Sequence, residues 1–455
     1  MSMMNNALSG AIAAQTALNT TSQNIANSAT PGYTRQGVLL KSLQAVGGGT
    51  NAAGNGVQVS ALIRFADGYK SLQMWKAASE LGRYDAGQPY LNQLETVMSD
   101  DTSNINNALD GFFASLNAAS VQPDSAALRS QVLTSADTLV RRIASQQQLF
   151  STQQNALNDQ RGAAINQVNG YTADIALLNK QIAAAQAGGL NTSGLLDARD
   201  QRIDALASLV SLQVVAQHDG TVNVSLANGQ PLVVGAEAAV MSQNNGQLEL
   251  RFASTKFDVS SQGLGGQLGG IIDYETQVLK PMQKTVEELA AGIAQKFNDQ
   301  LGLGYRQDGT QPLRPVDDLF VFTGGTWVVN PAITAEKLAF AGAGEGAGGG
   351  GNLKELIKLK SSTVTITQFG GTATVLGDIY TQLVGTLGVR SQQNQAAQTT
   401  AQAVRDQSQA NWASTSGVNR DEEAINLMQY QQMYQANMKV IAAAGKLFDS
   451  TLAAF

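Results

Sequence analysis

The chain has 455 residues, of which 43% are hydrophobic and only 14% are charged, against roughly 25% charged residues in an ordinary soluble domain. Its 29 basic and 35 acidic side chains give a net charge of −6, which argues against nucleic acid as a partner because phosphate binding needs clustered lysine and arginine. One histidine and no cysteine exclude a disulfide framework, a thiol nucleophile and a two-histidine metal site.

The N-terminal segment is predicted to be a helix over residues 2–28. Apolar residues recur there at alternating three- and four-residue spacing, as on one face of a coiled coil, and Gln15 and Ser22 fill the remaining positions of that face. The apolar members are Met4, Leu8, Ala11, Leu18 and Ile25. The helix should end before Pro31, because a proline ring disfavours helical geometry in the preceding residue.

The same segment has no charged side chain before Arg35, and it lacks the basic region and the long apolar core of a cleavable secretory signal. We therefore expect no export by the general secretory route. The sequence also has no run of about 18 apolar residues, so no membrane span is predicted.

The next part of the chain is predicted to be mainly helical. Two strand-like runs at 38–43 and 57–63 flank a glycine-rich segment at 47–56. Helices are then predicted at 67–98, 105–119, 125–187 and 194–209. The longest of them would span about 90 Å, which predicts a rod-shaped body.

From residue 211 the apolar period changes to that of strands. Hairpin turns are predicted at Asp219-Gly220, Asn228-Gly229 and Asn245-Gly246. Helix returns at 270–300, and residues 301–371 combine glycine-rich loops with strand-like stretches. Two further helices are predicted at 374–412 and 419–452.

The last helix repeats the pattern of the first, with apolar side chains at three- and four-residue spacing. They are Leu427, Tyr430, Tyr434, Ile441, Ala444 and Phe448. The two terminal helices can pair within one chain, or they can pair and also contact neighbouring subunits. We favour the second interpretation, because a polar but uncharged surface lacks the lysine and glutamate that normally keep molecules apart.

Four stretches resemble signatures of the flagellar axial proteins, the family of rod, hook and hook-associated proteins. They are residues 17–27, residues 30–35 with the sequence Thr-Pro-Gly-Tyr-Thr-Arg, residues 195–204, and residues 416–427. Their order and spacing match across essentially the whole chain, and they most resemble the hook-associated protein 1 family. The signature residues are Asn24, Asn27, Pro31, Gly32, Tyr33, Arg35, Asp197, Arg199, Asp200, Gly417, Asn419, Asp421, Glu422 and Glu423.

The resemblance implies a mainly α fold with β inserts, elongated and built from discontinuous domains. The predicted domains are a terminal coiled coil (1–34 and 418–455), a helical rod-like middle domain (35–210, 263–300 and 372–417), a small β subdomain (211–262) and an outer, short, glycine-rich β insert (301–371). Two features depart from the family pattern: Arg420 stands where the family has an apolar residue, and the insert is short.

The resemblance further implies a secreted structural component of the bacterial flagellum that joins hook to filament by self-assembly, with no enzymatic activity, cofactor or metal. The implied partners are further copies of the chain in a ring, the hook protein, hook-associated protein 3 as the second junction protein, and a chaperone of the flagellar type III export apparatus. The two apolar seams form the predicted assembly interface. Because an unpaired apolar helix is marginal in water, we expect the termini to be mobile in the free chain and to order on assembly.

Three other classes of protein are weaker interpretations. A hook or distal-rod subunit shares the N-terminal signature, but residues 195–204 and the long helix at 125–187 favour a hook-associated protein. A secreted enzyme with flagellar termini would need convergent acid and base residues in 211–262 or 301–371, which hold one histidine and scattered carboxylates. A coiled-coil adhesin would need a membrane anchor or a signal peptide.

No catalytic, cofactor or metal site is predicted. His218 lies in a His-Asp-Gly turn, where an exposed turn residue is favoured over a catalytic base. Gly344, Gly346 and Gly349 match a dinucleotide-binding pattern by letter, but Glu345 between them would repel a pyrophosphate, and the run is typical of a flexible loop.

Two groups of acidic residues are predicted to be structural. Asp197, Asp200 and Asp204 recur beside arginines on one helix, which predicts a solvated, ion-paired helix face rather than a metal site. The run Asp421-Glu422-Glu423 predicts an acidic first turn that stabilises the dipole of the last helix.

Overall fold

The computed structural model describes residues 2–44, 54–244 and 246–454, so most of the predicted glycine-rich segment at 47–56 and the turn residue Asn245 lie outside the described residues. By its internal contacts the chain divides into two compact units. Unit 1 comprises residues 1–82, 164–267 and 400–455, and unit 2 comprises residues 83–163 and 268–399.

The predicted mainly helical fold is confirmed. The helices are α1 (Ser2–Ala26), α2 (Gly68–Ser99), α3 (Ile105–Val121), α4 (Ala126–Ala187), α5 (Ser193–Leu209), α6 (Gly266–Tyr274), α7 (Lys280–Gly302), α8 (Gly351–Lys358), α9 (Leu376–Ser416) and α10 (Arg420–Leu452). At 1.5 Å per residue the 62 residues of α4 extend over about 90 Å.

The predicted single helix at 270–300 is wrong in one respect, because a π-helical turn over Glu275–Leu279 separates α6 from α7. The carboxylate of Glu275 is buried there and pairs with Arg161 at 3.0 Å and with Lys280 at 2.8 Å. This pairing compensates the cost of burying the acid at a position where the regular helix is interrupted.

Within the residues that the structure describes, the strands form two antiparallel sheets and three hairpins. They are β1 (Gln36–Ser42), β2 (Val57–Arg64), β3 (Leu212–Ala216), β4 (Val222–Leu226), β5 (Pro231–Val234), β6 (Glu237–Ala238), β7 (Val240–Asn244), β8 (Gln247–Phe252), β9 (Thr255–Val259), β10 (Phe320–Thr323), β11 (Thr326–Val329), β12 (Thr363–Ile366) and β13 (Thr372–Val375). The sheets have the orders β3-β4-β5-β6 and β7-β8-β9, and the hairpins are β1-β2, β10-β11 and β12-β13.

Two predicted hairpin turns are found where left-handed backbone is required. Gly220 and Gly229 have φ angles of 77° and 90°, which favour glycine, and they lie between β3 and β4 and between β4 and β5. Both belong to unit 1.

Two asparagines of α4 bond to strand backbone in unit 1, Asn179 at the start of the inner strand β4 and Asn169 on the edge strand β7. Asn179 donates to the carbonyl of Val222 at 2.7 Å and accepts from its amide at 3.1 Å, and Asn169 makes the same pair of hydrogen bonds with Met241. Each side-chain amide thus replaces a neighbouring strand, which satisfies backbone groups that would otherwise be buried without partners.

Unit 2 has a continuous hydrophobic core built from large side chains. Phe112 of α3 lies 4.8 Å from Phe297 of α7 between ring centroids, and Phe320 of β10 contacts both rings edge-on. Leu338, Phe340 and Leu353 belong to the same core. The predicted insert at 301–371 therefore does not form a core of its own, because its apolar side chains pack with the helices of unit 2.

A buried arginine of α4, Arg129, binds backbone carbonyls of the insert at 301–371. The guanidinium of Arg129 is almost fully buried, donates to the carbonyls of Pro123, Ala335 and Leu338, and stacks 4.6 Å from the ring centroid of Phe340. Burial lowers the pKa of Arg129, with Asp124 opposing that shift.

The glycine run around residue 345 is organised by its acid. The carboxylate of Glu345 accepts from the backbone amides of Gly342 and Gly351 at 2.8 and 2.7 Å, and these bonds lower its pKa. The Glu345 carboxylate thus connects the two ends of the loop. Gly344 and Gly346 lie within this turn and have left-handed backbone, which favours glycine.

The two units group the predicted domains differently from the four-part prediction. The terminal helices and the β subdomain at 211–262 belong to unit 1, the insert at 301–371 belongs to unit 2, and the predicted middle domain is divided between both units. The finer division into four domains stays a prediction.

Candidate assembly interface and signature cluster

The two terminal helices pack against each other as an antiparallel pair. Gly10 lies against Asn437, and the side-chain amide of Asn24 donates to Glu423 at 3.1 Å. A Cβ atom on Gly10 would come within 2.7 Å of the Asn437 side chain, so that side chain occupies the space that a larger residue at position 10 would need.

The buried face of α1 consists of small or polar side chains. Its members at alternating three- and four-residue spacing are Ala7, Gly10, Ala14, Ala17, Thr21 and Asn24. Each lies one position before a member of the predicted seam, so the prediction for α1 placed the covered face about 100° away from where it is. Small side chains occupy this face because they let the helices approach closely.

The predicted seam residues of α1 therefore differ in burial. Ala11 is buried and Leu18 and Ile25 are half-buried, whereas Met4 and Leu8 are exposed. Leu8 is 50% exposed and Ile12 is 56% exposed. Met4, Leu8 and Ile12 are spaced by one helical turn, so they form a row on the surface of α1, named here the apolar row.

The predicted seam of α10 lies along the face that includes Asn437. Its half-buried members are Leu427, Tyr430, Tyr434, Ile441 and Ala444. Phe448 is 64% exposed, and Ile425 and Met428 are also exposed. The role of both seams as an assembly interface stays a prediction.

The N- and C-terminal signatures meet at Asn24. Its carbonyl oxygen accepts from the Tyr33 hydroxyl at 2.9 Å and from the amide of Gln36 at 3.0 Å. Its amide nitrogen donates to the carbonyl of Gln36 at 2.8 Å and to Glu423. One buried asparagine thus joins the end of α1, the start of β1 and the first turn of α10.

Burial raises the pKa of Tyr33, and the nearby carboxylates of Asp197 and Glu423 raise it further. The phenol therefore stays protonated at neutral pH and can donate to Asn24. This is consistent with a structural role for Tyr33.

The start of α10 is fixed by two further signature residues. The Asn419 side chain accepts from the amide of Asp421 at 3.0 Å and caps the helix. Arg35 pairs with Glu422 at 2.8 Å, stacks 4.5 Å from the ring centroid of Phe65, and its amide donates to the carbonyl of Ser416. The acidic first turn is found as predicted, and two of its acids also bind the N-terminal signature.

Arg64 of β2 is the centre of a buried ion-pair cluster. It donates to Asp197 at 2.7 Å, to Asp200 at 2.8 Å and to the Thr34 hydroxyl at 3.0 Å. The amide of Thr34 donates to Asp197 at 3.2 Å. The 195–204 signature is therefore bound directly to the segment that follows α1.

The predicted solvated helix face is wrong for two of its members. Asp197 and Arg199 are each only 6% exposed. Arg199 donates to the carbonyl of Gly220 at 2.7 Å, and burial lowers its pKa. Arg202 is exposed and pairs with Asp174, as predicted, and Asp200 and Asp204 are half-buried and ion-paired.

The other signature residues shape the turns of this cluster. Gly32 has a φ of 73°, and a Cβ atom there would come within 2.5 Å of Gln201, whose amide donates to the carbonyl of Pro31. Asn27 donates to the carbonyl of Gln23 at 2.9 Å.

One signature glycine and one departure from the C-terminal signature, Arg420, have local explanations. A Cβ atom on Gly417 would lie 2.6 Å from the carbonyl oxygen of Ala413, so the close turn between α9 and α10 needs glycine. The exposed Arg420 donates to the Ser28 hydroxyl at 2.9 Å. The charge at this position is therefore accommodated by a polar partner at the end of α1.

Sequence reasoning missed two arginines that hold this region together. Arg64 reaches Asp197 across 133 positions, and Arg405 of α9 forms a double hydrogen bond with Asp204 across 201 positions. Neither arginine belongs to a signature or a periodic pattern, so no local signal in the sequence identifies it.

Among residues 2–44, 54–244 and 246–454, no cluster of three or more histidine or acidic side chains has the arrangement of a metal site. Over the same residues, no helix combines the length and the apolar character that a membrane crossing requires. His218 is exposed in its turn, as predicted.

Comparison with protein families matches three parts of the chain. Residues 91–315 match the family described as flagellar hook-associated protein FlgK helical domain. Residues 4–34 match the flagella basal body rod protein family, and residues 409–454 match the flagellar basal body rod FlgEFG protein C-terminal family. The terminal matches contain Asn24, Tyr33 and Glu423, and the central match, to a hook-associated protein rather than a rod protein, contains Asp197 and Asp200.

Curated relatives match over nearly the whole chain. Flagellar hook-associated protein 1 of Salmonella typhimurium is 27% identical, with 99% of each chain covered. The protein of the same name from Bacillus subtilis is 27% identical, with 97% of this chain and 95% of the relative covered.

A solved structure shares the fold. The flagellar hook junction protein FlgK from Burkholderia pseudomallei superposes with a TM-score of 0.66 at 17% identity, covering 75% of this chain and 99% of that one. The signature residues, the family matches and the nearly full-length relatives agree that the chain is a structural component of the hook–filament junction, similar to flagellar hook-associated protein 1.

Proposed function

We propose that the chain acts by self-association, and that the outward surfaces of α1 and α10 form its contacts with neighbouring subunits. The chain is a structural component of the extracellular bacterial flagellum at the hook–filament junction. The proposal concerns how it performs that task. The observation that carries it is the exposed apolar row of Met4, Leu8 and Ile12.

Two features support association through this surface. The apolar row lies on a helix whose inner face packs on α10, and its three side chains remain 42–56% exposed. No charged residue occurs in residues 2–34 or in residues 424–438. Grouped apolar side chains without intervening charge are typical of a contact surface rather than of a solvated helix.

The proposed partners follow from the place of the chain in the flagellum. They are further copies of the chain in a ring, the hook protein on one side, hook-associated protein 3 on the other, and an export chaperone before assembly. We propose that the chain contributes association and no catalysis, so that removing its surface contacts removes its function while its fold persists.

A double substitution tests this proposal. Leu8→Lys with Ile12→Lys places two charges in the apolar row, and we expect at least about tenfold weaker self-association by analytical ultracentrifugation, because each charge must be desolvated on contact. The matched control is Leu190→Lys, which alters a leucine of unit 1 that is 68% exposed and lies outside the terminal helices. Circular dichroism and the unfolding midpoint should match the wild type in both variants.

The same variants can be tested in swimming cells. A deletion strain should form hooks, secrete flagellin into the medium and carry no attached filaments. Leu190→Lys should restore filaments and the double variant should not. Normal filaments on the deletion strain, or on cells with the double variant, would contradict the proposal.

We further propose that the α1–α10 pair becomes fully ordered only on assembly. Small side chains bury little apolar area, so the pair has a small free energy of formation by itself. Amide exchange over residues 2–26 and 420–452 should be fast in the dilute chain and slow in the assembled state. Strong protection in dilute solution would contradict this step.

A further inference from the structure

The methionines of the described residues fall into two groups that differ in exposure. Five are exposed by 42–56%, and all of them lie on α1 or α10: Met3, Met4, Met428, Met433 and Met438. The methionines of other elements are more enclosed. Met98, Met241 and Met282 are at most 4% exposed, and Met74 is partly buried.

The exposed thioethers stand in an uncharged surface without competing sulfur groups. The chain has no cysteine, and residues 424–438, which hold three of the five exposed methionines, include no charged residue. Methionine has a flexible side chain that adapts to differently shaped neighbours. It is also the side chain of this surface that a peroxide oxidises most readily.

The reaction with a peroxide is a transfer of one oxygen atom. The thioether sulfur attacks one oxygen of hydrogen peroxide, the O–O bond breaks, and water leaves after proton transfer. The sulfur is oxidised by two electrons to a sulfoxide and the peroxide is reduced by two electrons. The product is a polar, chiral group in place of an apolar one.

We propose that Met3, Met4, Met428, Met433 and Met438 are oxidation sites for peroxides in the free chain, and that their oxidation weakens self-association. The effect on association depends on the proposed function, because it requires these helices to form the contact surface. A sulfoxide oxygen that is buried on contact without a donor opposes association, whereas the thioether does not.

The first test measures which methionines react. The full chain is treated with hydrogen peroxide in dilute solution, and peptide mass spectrometry follows each methionine with time. The five exposed methionines should gain oxygen at least about tenfold faster than Met98, Met241 and Met282, because a buried thioether reacts only after local opening. Equal rates in the two groups would overturn the proposal.

The second test measures association. Peroxide-treated chain, oxidised only at the five sites, should associate at least about tenfold more weakly than untreated chain, and methionine sulfoxide reductases should reverse the loss. A variant with all five methionines replaced by leucine keeps apolar side chains at exposed positions. It should fold, associate, and keep its association after peroxide treatment.

The outcomes separate this proposal from the proposed function. If untreated wild-type chain and the leucine variant both fail to associate, self-association itself is contradicted and the effect of oxidation is overturned with it. If wild-type chain associates and full oxidation of the five sites leaves its association unchanged, only the methionine proposal is overturned. Equal loss of association in the peroxide-treated leucine variant also overturns it, because the sensitive group then lies elsewhere.

Discussion

The core of unit 2 and the α1–α10 pair of unit 1 place their large apolar side chains in opposite ways. In unit 2 the rings of Phe112, Phe297 and Phe320 pack against each other inside the core. In α1 the covered face is alanine, glycine and threonine, and Leu8 and Ile12 are on the surface. The first arrangement stabilises one chain alone, and the second leaves apolar area available to other chains.

The difference teaches that an apolar pattern does not by itself specify which face of a helix is covered within a chain. A helix with one face of small residues and another of large ones can make a contact through each face. In α1 the small face determines the close approach to α10, and the large face is the one that we propose for association. Four experiments, ordered by expected effect, test this contrast.

The largest effect is expected from a matched pair of phenylalanine substitutions. Phe112→Ala should lower the free energy of unfolding by about 3–5 kcal/mol, because it removes a fully buried ring and leaves a cavity. Phe448→Ala on α10, where the ring is 64% exposed, should change it by less than about 0.5 kcal/mol. Denaturant unfolding of both variants measures the difference, and similar losses would remove the contrast.

The ion-pair cluster of unit 1 gives the next effect. Asp197→Asn should lower the free energy of unfolding by about 2 kcal/mol, because the buried Arg64 loses a charged hydrogen-bond acceptor. Asp174→Asn breaks the exposed pair with Arg202 and should cost less than about 1 kcal/mol. The measurement is again the denaturant midpoint at constant slope. Equal effects would show that burial of the cluster adds nothing.

A smaller effect is expected from glycine in the helix pair. Gly10→Ala should destabilise the α1–α10 pair by about 1 kcal/mol, because the new Cβ overlaps Asn437. Gly445→Ala meets no atom within 4 Å and should stabilise α10 by up to about 1 kcal/mol through helix propensity. In the assembled state, amide exchange near residues 7–21 should be faster in the first variant and unchanged or slower in the second.

The smallest effect concerns the loop of Glu345 in unit 2. Since backbone amides lower its folded pKa, the carboxylate stabilises the fold above the ordinary glutamate pKa of about 4.3, and this contribution is lost as the pH falls through the lowered value. The thermal midpoint of wild type should exceed that of Glu345→Gln at pH 7, and the difference should vanish in acid. A constant difference would mean that the charge is not involved.

Much of the fold can be predicted from the sequence because helices and hairpins follow local rules. The break at Ser416-Gly417 and the turns at Gly220 and Gly229 carry residue types that those positions require. The ends of the long α4 agree closely with its pattern for the same reason. No local pattern marks the π-helical turn at Glu275, and the buried carboxylate there pairs with Arg161 on a distant element.

The candidate site was predictable only in part. The signature residues do meet, through Asn24 with Glu423 and Arg35 with Glu422. The covered face of α1 was misplaced because apolar size was used to choose the buried side, whereas close approach over Gly10 selects small side chains. The role of Arg64 was not predicted, because its partner Asp197 lies 133 positions away in the sequence.

The uncharged stretches 2–34 and 424–438 have a consequence for the medium in which the flagellum works. Coulomb attraction between exposed charges fades as dissolved ions screen it, over a distance that falls from about 30 Å at 0.01 M salt to about 3 Å at 1 M salt. Contacts between apolar side chains do not depend on Coulomb attraction, so screening by dissolved ions does not weaken them. A joint made through these helices therefore keeps its strength when the ionic strength outside the cell changes.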